Sequence, residues 1–306
     1  AKAENVLRVA MTAADIPINI GQPDQGFEGF RFMGYMLYDT LVLWDLSKAD
    51  EPASLTPGLA ESWSVDPENP ERWIFKLRKG VKYHDGSDFT ADDVVWNFEK
   101  VRNTDASHYE PKQAALVAVR IPALKSVSKI DDYTIEILTN GVSAYVPYQV
   151  SFWFMSSQEH YEKVGSWAKF AKSPSGTGPW KFVSQTPRAK VEMVPNKEYW
   201  NPARVPKVDR VILRPIPEAS ARVAALLSGQ VDFVEAPPPD TIPRLKSSGM
   251  SIITNAYPHN WAIKPSRIEG SPWNDINVRK AANLCIDREG MNQMLGGLSV
   301  PAEGHL

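Results

Sequence analysis

The segment at residues 55–101 (LTPGLAESWSVDPENPERWIFKLRKGVKYHDGSDFTADDVVWNFEKV) constrains the fold most, because it compresses a strand, a turn and a helix start. Between 73 and 78 apolar and polar side chains alternate, Trp73, Phe75 and Leu77 against Lys76 and Arg78, with only Ile74 off the pattern. A period of two is that of a half-buried strand. Lys79-Gly80 interrupts it, and 81–84 resumes an extended run into the turn dipeptide Asp85-Gly86. Thr90 then heads a predicted helix. Its hydroxyl can cap free N–H groups, and Asp92 and Asp93 sit where the helix dipole favours anions. A carboxylate three residues after Thr90 makes a capping box, with Asp in the usual place of Glu. Val94, Val95, Phe98 and Val101 give this helix an apolar face. His84-Asp85 could be an acid–base or metal pair, but Asp-Gly is turn chemistry and a hairpin turn is the expectation.

Bulk properties narrow the class. A length of 306 residues suggests about two domains, and 43% hydrophobic with 23% charged residues is enough for sizeable cores. Lys plus Arg number 34 against 36 for Asp plus Glu, so no basic excess points to a nucleic-acid partner. No apolar run reaches the length that crosses a bilayer. The opening Ala1-Lys-Ala-Glu-Asn reads as a mature or trimmed terminus, so export is not read from it directly, and a removed signal peptide is an expectation. The single cysteine, Cys285, excludes an internal disulfide. It falls at helical spacing with Val278, Ala281 and Ala282, which predicts a buried structural thiol rather than a nucleophile.

Along the chain, NVLRVAM at 5–11 reads as a first strand, followed by a polar, Gly-rich loop at 20–30. Residues 33–44 then carry a helical apolar face of Met33, Met36, Leu37, Thr40, Leu41 and Trp44. Two β-rich runs around Asp131-Asp132 predict a hairpin. Extended runs follow at 181–183 and 190–195. GTGP at 176–179 lacks the Lys-Ser/Thr ending of a phosphate loop, and no helix pattern follows it. A helix at 217–228 stops at Gly229, and 231–234 is the next strand, a β–α–β step with a parallel crossover. Glu235 then begins a loop at a strand's carboxyl end, the usual ligand position in open α/β sheets. Another strand is predicted at 251–256, then helices at 276–286 and 288–295, capped by Asp275 and Asp287. His108 and His160 stand alone in sequence, so no metal site is expected.

Taken together, PGLAESW at 57–63, LRKGVKYHDG at 77–86 and TADDVV at 90–95 resemble the signature of the family 5 extracellular solute-binding proteins. These are the dipeptide-, oligopeptide- and nickel-binding receptors of bacterial ABC importers. GTGPW at 176–180, NKEYW at 196–200, KVDRVIL at 207–213, ASARVAALLSGQVD at 219–232 and VRKA with CIDR at 278–288 continue the match, Cys285 replacing the usual Ala. The resemblance implies an α/β, two-lobed periplasmic-binding-protein-like fold of type II with an extra subdomain inserted in lobe one and an incomplete C-terminal lobe. It divides the chain into 1–46 (lobe one, first part), 47–169 (inserted subdomain), 170–258 (lobe one, second part) and 259–306 (start of lobe two). Family members continue past the end of this sequence, so a fragment is expected, with further ligand anchors beyond it.

The expected ligand residues follow. In the resembled family the loop after the first strand lines the cleft, which implicates Gln25, Gly26, Phe27 and Phe30. Gly26 and Gly29 would let a ligand approach the backbone and the two Phe could form an aromatic wall, or could instead pin a surface loop into the core. Tyr109 lies where some relatives place a ligand-facing Tyr. Tyr257, Asn260 and Trp261 fall where the chain passes between lobes, and they join Glu235 as candidates, hinge packing being the alternative. The function implied is a receptor that captures a peptide or peptide-like solute and delivers it to an inner-membrane ABC permease. It would be a periplasmic or lipid-anchored extracellular monomer without cofactor, metal or catalytic residues. The rival readings are a glycan hydrolase, for which ten Trp and many carboxylates offer material, and a non-transport sensor on the same fold.

Overall fold

The structure, a computed structural model, describes residues 4–255, 262 and 264–300. Contacts divide it into two units, one formed by residues up to Leu46 with Ala53–Ala236, the other by Ser47–Pro52 with the chain from Pro237 onward.

In the first unit, strand β1 (Val6–Met11) leads through a loop into helix α1 (Gly26–Gly29), a π-helical turn (Phe30–Gly34) and α2 (Tyr35–Leu37). Strands β2 (Val42–Trp44) and β3 (Leu55–Pro57) pair antiparallel. Next come β4 (Ala60–Val65), β5 (Arg72–Leu77), helices α3 (Ala91–Arg102) and α4 (Pro111–Ala118), and the hairpin β6 (Leu124–Asp131) and β7 (Thr134–Thr139). Helices α5 (Val146–Val150), α6 (Gln158–Val164) and α7 (Trp167–Phe170) precede β8 (Trp180–Thr186), β9 (Lys190–Pro195) and β10 (Arg210–Pro215). Helix α8 (Ala219–Leu227) and β11 (Phe233–Val234) end the unit.

Two larger sheets result. One has the order β11-β1-β10-β9-β8, with β1 parallel to both β10 and β11 and the β9 and β8 pairings antiparallel. The β10–α8–β11 step is therefore the expected parallel crossover, passing over β1. The other sheet, β4-β5-β7-β6, is antiparallel throughout. Trp73, Phe75 and Leu77 of β5 are buried against α3 residues Val94, Phe98 and Val101 in one apolar cluster, as the period-two and helical patterns predict. Asp93 closes the capping box by accepting from the Thr90 backbone N–H at 3.0 Å. A second cluster joins β1, β9 and β10 to Phe30, Met33, Leu37 and Phe154.

The structure differs from the sequence reading in three places. The helical face expected over 33–44 begins earlier, at Gly26, and ends at Leu37. Tyr38 is extended and 42–44 is strand. The cause lies in distant partners: buried Asp39 accepts from Thr177, Tyr199 and Trp200 at 2.8–2.9 Å, and Gly178 N–H donates to the Leu37 carbonyl at 3.0 Å. That approach needs glycine, since a Cβ on Gly178 would stand 2.5 Å from the Leu37 carbonyl carbon. Second, 251–255 forms no strand; Ile253 is exposed, and an extended segment without a ladder partner has nothing to hold it. Third, Cys285 is exposed rather than buried. It follows α10 (Ile276–Leu284), which like α11 (Arg288–Met294) buries none of its residues. Both helices belong to the second unit, as does α9 (Ile242–Ser247), whose Leu245 is buried.

Candidate ligand-binding site

The parallel strands β11, β1 and β10 bring their carboxyl ends to one edge of the sheet, where Glu235, Thr12 and Ile216 follow them. Arg222 on α8, 4% exposed, holds this edge. Its guanidinium donates to the carbonyls of Ile216 and Pro217 at 2.8 Å and of Glu235 and Ala236 at 3.1 Å. Satisfying four carbonyls from one planar fork fixes the direction in which Glu235 leaves the sheet. The Glu235 carboxylate accepts from the Thr12 hydroxyl at 2.7 Å and pairs with Arg31, which also pairs with Glu28 at 3.3 Å. Two carboxylates thus share one guanidinium.

The chain from 25 to 31 builds the rest. Residues three apart share a helical face, so Phe27 with Phe30 forms one face and Glu28 with Arg31 its neighbour. Gln25 takes a left-handed conformation, φ 62°. Its side chain accepts from Ala14 N–H at 2.9 Å and Asp15 N–H at 3.3 Å and donates to the Asp15 carbonyl at 2.8 Å. Gln25 is therefore occupied in folding the loop after β1 onto the helix start. Gly29 is equally required, because a Cβ there would lie 1.9 Å from the Asp24 carbonyl oxygen. Gly26 is exposed, Phe27 keeps 39% of its surface open, and Phe30 is buried at 2%. The two Phe divide the roles the sequence left open: Phe30 anchors and Phe27 presents its ring. The π-helical turn that follows Gly29 is rare in proteins and concentrates at functional sites.

Phe152 packs on both rings, at 6.1 Å from Phe27 and 5.6 Å from Phe30, and Trp44 and Tyr148 continue the aromatic run. Tyr35 beneath it donates to the Ser151 carbonyl at 2.7 Å, and burial holds its hydroxyl far above the usual phenol range. Lys100, buried in α3, donates to Ile20 O at 2.5 Å and lies 4.0 Å over the Trp167 ring, tying down the loop that leads to Gln25. Burial pulls its amine down to about 7.

Of the sequence candidates, the structure brings Gln25, Gly26, Phe27, Phe30 and Glu235 to one place. Tyr109 is half-buried ahead of α4 and makes no ring pair with Phe27 or Phe30 among the described residues. Tyr257, Asn260 and Trp261 lie outside the described residues. Thr12, Arg31, Arg222 and Phe152 escaped the sequence reading; only Arg31, three residues from Glu28, carried a local signal. Among the described residues no three His, Cys, Asp or Glu side chains gather as metal ligands. His108 stacks on Trp96 at 4.5 Å and bonds its carbonyl.

Known proteins share both sequence and fold with this chain. Heme-binding protein A of Haemophilus influenzae is 29% identical over 83% of the chain and 48% of its own length. The dipeptide-binding protein of Escherichia coli is 26% identical over 83% of the chain and 49% of its own length. Among solved structures, periplasmic binding protein DppA of Helicobacter pylori, in complex with peptide STSA, superposes with TM-score 0.68 at 27% identity. It covers 80% of this chain, which covers 49% of that one. NikZ of Campylobacter jejuni, in complex with Ni(L-His), matches in fold with TM-score 0.72 at 22% identity, over 99% of this chain and 58% of its own. The chain spans about half the length of the curated relatives it matches. The family profile matches residues 54–306, and the chain belongs to the bacterial extracellular solute-binding proteins, family 5 Middle.

Proposed function

We propose that the chain carries much of the ligand site of a solute receptor, taking a peptide or peptide-like solute for delivery to an ABC permease outside the cytoplasm. On this reading lobe one comprises 1–46 and 170–258, an inserted subdomain spans 47–169, and lobe two begins at 259. The observation that carries the proposal is the carboxylate excess beside an open aromatic ring. Glu28 and Glu235 share Arg31 next to Phe27, so the cluster holds one more negative than positive charge. Arg31 is 45% and Glu28 35% exposed, and an exposed pair of this kind is worth only about 0–1 kcal/mol, so a ligand ammonium can displace that contact at small cost. A peptide's charged amino end matches that cluster in charge, and Phe27 offers a ring to an apolar side chain. The dipeptide-binding relative and the peptide-bound neighbour support peptide over other solutes.

Heme is the second reading, favoured by the 29% identity to heme-binding protein A. A thermal-shift screen followed by calorimetry separates them, using tripeptides, heme and nickel with histidine as probes. The expected result is a peptide-induced rise in melting temperature, with affinity reduced about tenfold or more in Glu235→Gln through loss of a charge-assisted bond to the ammonium. A response to heme or nickel–histidine alone would overturn the peptide reading.

A further inference from the structure

Arg120 follows α4 and lies across the aromatic face of this site. Its guanidinium carbon is 5.0 Å from the ring centre of Phe30, 5.6 Å from Phe27 and 5.7 Å from Phe152. The three rings pack against one another at 5.6–6.1 Å, so a single cation rests on a three-ring base. Ring faces attract a guanidinium and strip part of its water, yet consume none of its five N–H donors. The backbone is fixed as well, Arg120 N–H donating to the Val117 carbonyl at 2.8 Å.

Among the described residues the Arg120 side chain makes no hydrogen bond and no ion pair. Other partly buried arginines of this chain behave differently. Arg72 pairs with Asp66 and Glu136, Arg210 with Glu4 and Glu192, and Arg222 is spent on four carbonyls. A half-buried guanidinium that is positioned but not neutralised is poised for an anion, and its planar fork matches a carboxylate bidentately.

We infer that Arg120 is an anion subsite that receives a carboxylate of the ligand on the Phe27–Phe30–Phe152 base. The inference rests on the reading that Phe27 faces the solute. Together with the carboxylate excess at Glu28 and Glu235, it makes the site bipolar: carboxylates for a ligand ammonium and Arg120 for a ligand carboxylate. The ligand class becomes a zwitterion with an apolar middle, its carboxylate either a chain terminus or an acidic side chain.

Two measurements test it. In the first, arginine Nε–Hε resonances of the isotope-labelled protein are followed by NMR during titration with sodium acetate, with acetamide at matched ionic strength as control. The Arg120 resonance is the one lost in Arg120→Lys. It should shift saturably with acetate and not with acetamide; a linear drift shared by all arginines would overturn the subsite. In the second, calorimetry compares Ala-Phe-Ala with its C-terminal amide, and Ala-Glu-Ala amide with Ala-Gln-Ala amide. The native protein should prefer the acid in one pair by about tenfold or more, which also tells terminus from side chain. Arg120→Gln should erase that preference and Arg120→Lys keep part of it. An unchanged preference in Arg120→Gln refutes the subsite and leaves peptide binding standing. Failure of every peptide to bind refutes the proposed function, and the acetate titration alone then decides Arg120.

Discussion

His84 donates from Nε2 to the carbonyl of Gly178 at 2.9 Å, while its Nδ1 is buried without a hydrogen-bond partner. Burial disfavours the imidazolium and pulls the pKa down from 6.5 to about 4. Between those values the unfolded chain binds more protons than the folded one, so stability falls as pH drops from 6.5 towards 4 and is unaffected by this group above 6.5. The loss at pH 4.5 is about 2 kcal/mol, once the residue's remaining exposure is allowed for. Asp93 opposes it, because burial pushes its carboxyl up to about 6 and the folded state then holds the extra proton. The native protein compared with His84→Gln isolates the imidazole, since the amide can still donate to Gly178. Urea midpoints at pH 7 and 4.5 should show the variant losing less stability by about that amount; equal losses would mean the ring is not held neutral by burial. The Asp-Gly turn reading of this stretch survives: Asp85 accepts from Ser87 N–H at 3.0 Å and from the Ser157 hydroxyl at 2.8 Å.

Helix α3 shows what an element owes to its ends. The Asp93 carboxylate accepts from Thr90 N–H at 3.0 Å and from Gln158 N–H at 3.4 Å, linking the first turn of α3 to the start of α6. Asp93→Ala should therefore cost about 2 kcal/mol, and Thr90→Ala only about 1 kcal/mol, as for a simple cap loss. Urea denaturation ranks them, and the reverse order would show that the tie to α6 contributes nothing. Elements of this kind were legible because their causes are local: the capping box, the period-two run at 73–77 and the Gly229 stop are written in neighbouring residues. What stayed hidden depends on partners far along the chain. No pattern within 33–44 reveals that Asp39 is claimed by Thr177, Tyr199 and Trp200, and so the helix expected to run to Trp44 stops at Leu37. The site divides the same way. Glu235 could be found from its place after a strand, whereas Arg120 over Phe30 and Phe152 depends on where three separate segments meet.

At the scale of the whole chain, stabilising burial is unevenly distributed between the two units. The first holds the large apolar clusters and the three sheets found among the described residues. In the second, α10 and α11 bury none of their residues, and Ile276, Leu284, Met291 and Met294 are 50–86% exposed. Helices shorter than about 12 residues are marginal in water without a packed face, because a few hydrogen bonds barely offset the cost of nucleation. Asp275 and Asp287 cap the two helices, but a cap adds only about 1 kcal/mol. Opening of these segments should therefore cost little, independently of unfolding elsewhere. In native-state hydrogen exchange, amides of Ile276–Leu284 and Arg288–Met294 should show opening free energies below about 1 kcal/mol. Those of α3 and β10 should exchange only through openings of about 5 kcal/mol or more, near the global stability of a domain. Equal protection in both sets would mean that α10 and α11 gain stability from contacts the first unit does not need. A low barrier there combined with high protection at Met11, Leu213 and Phe30 would place the Glu235–Phe27 site on the rigid part of the molecule, where ligand contacts need no prior ordering.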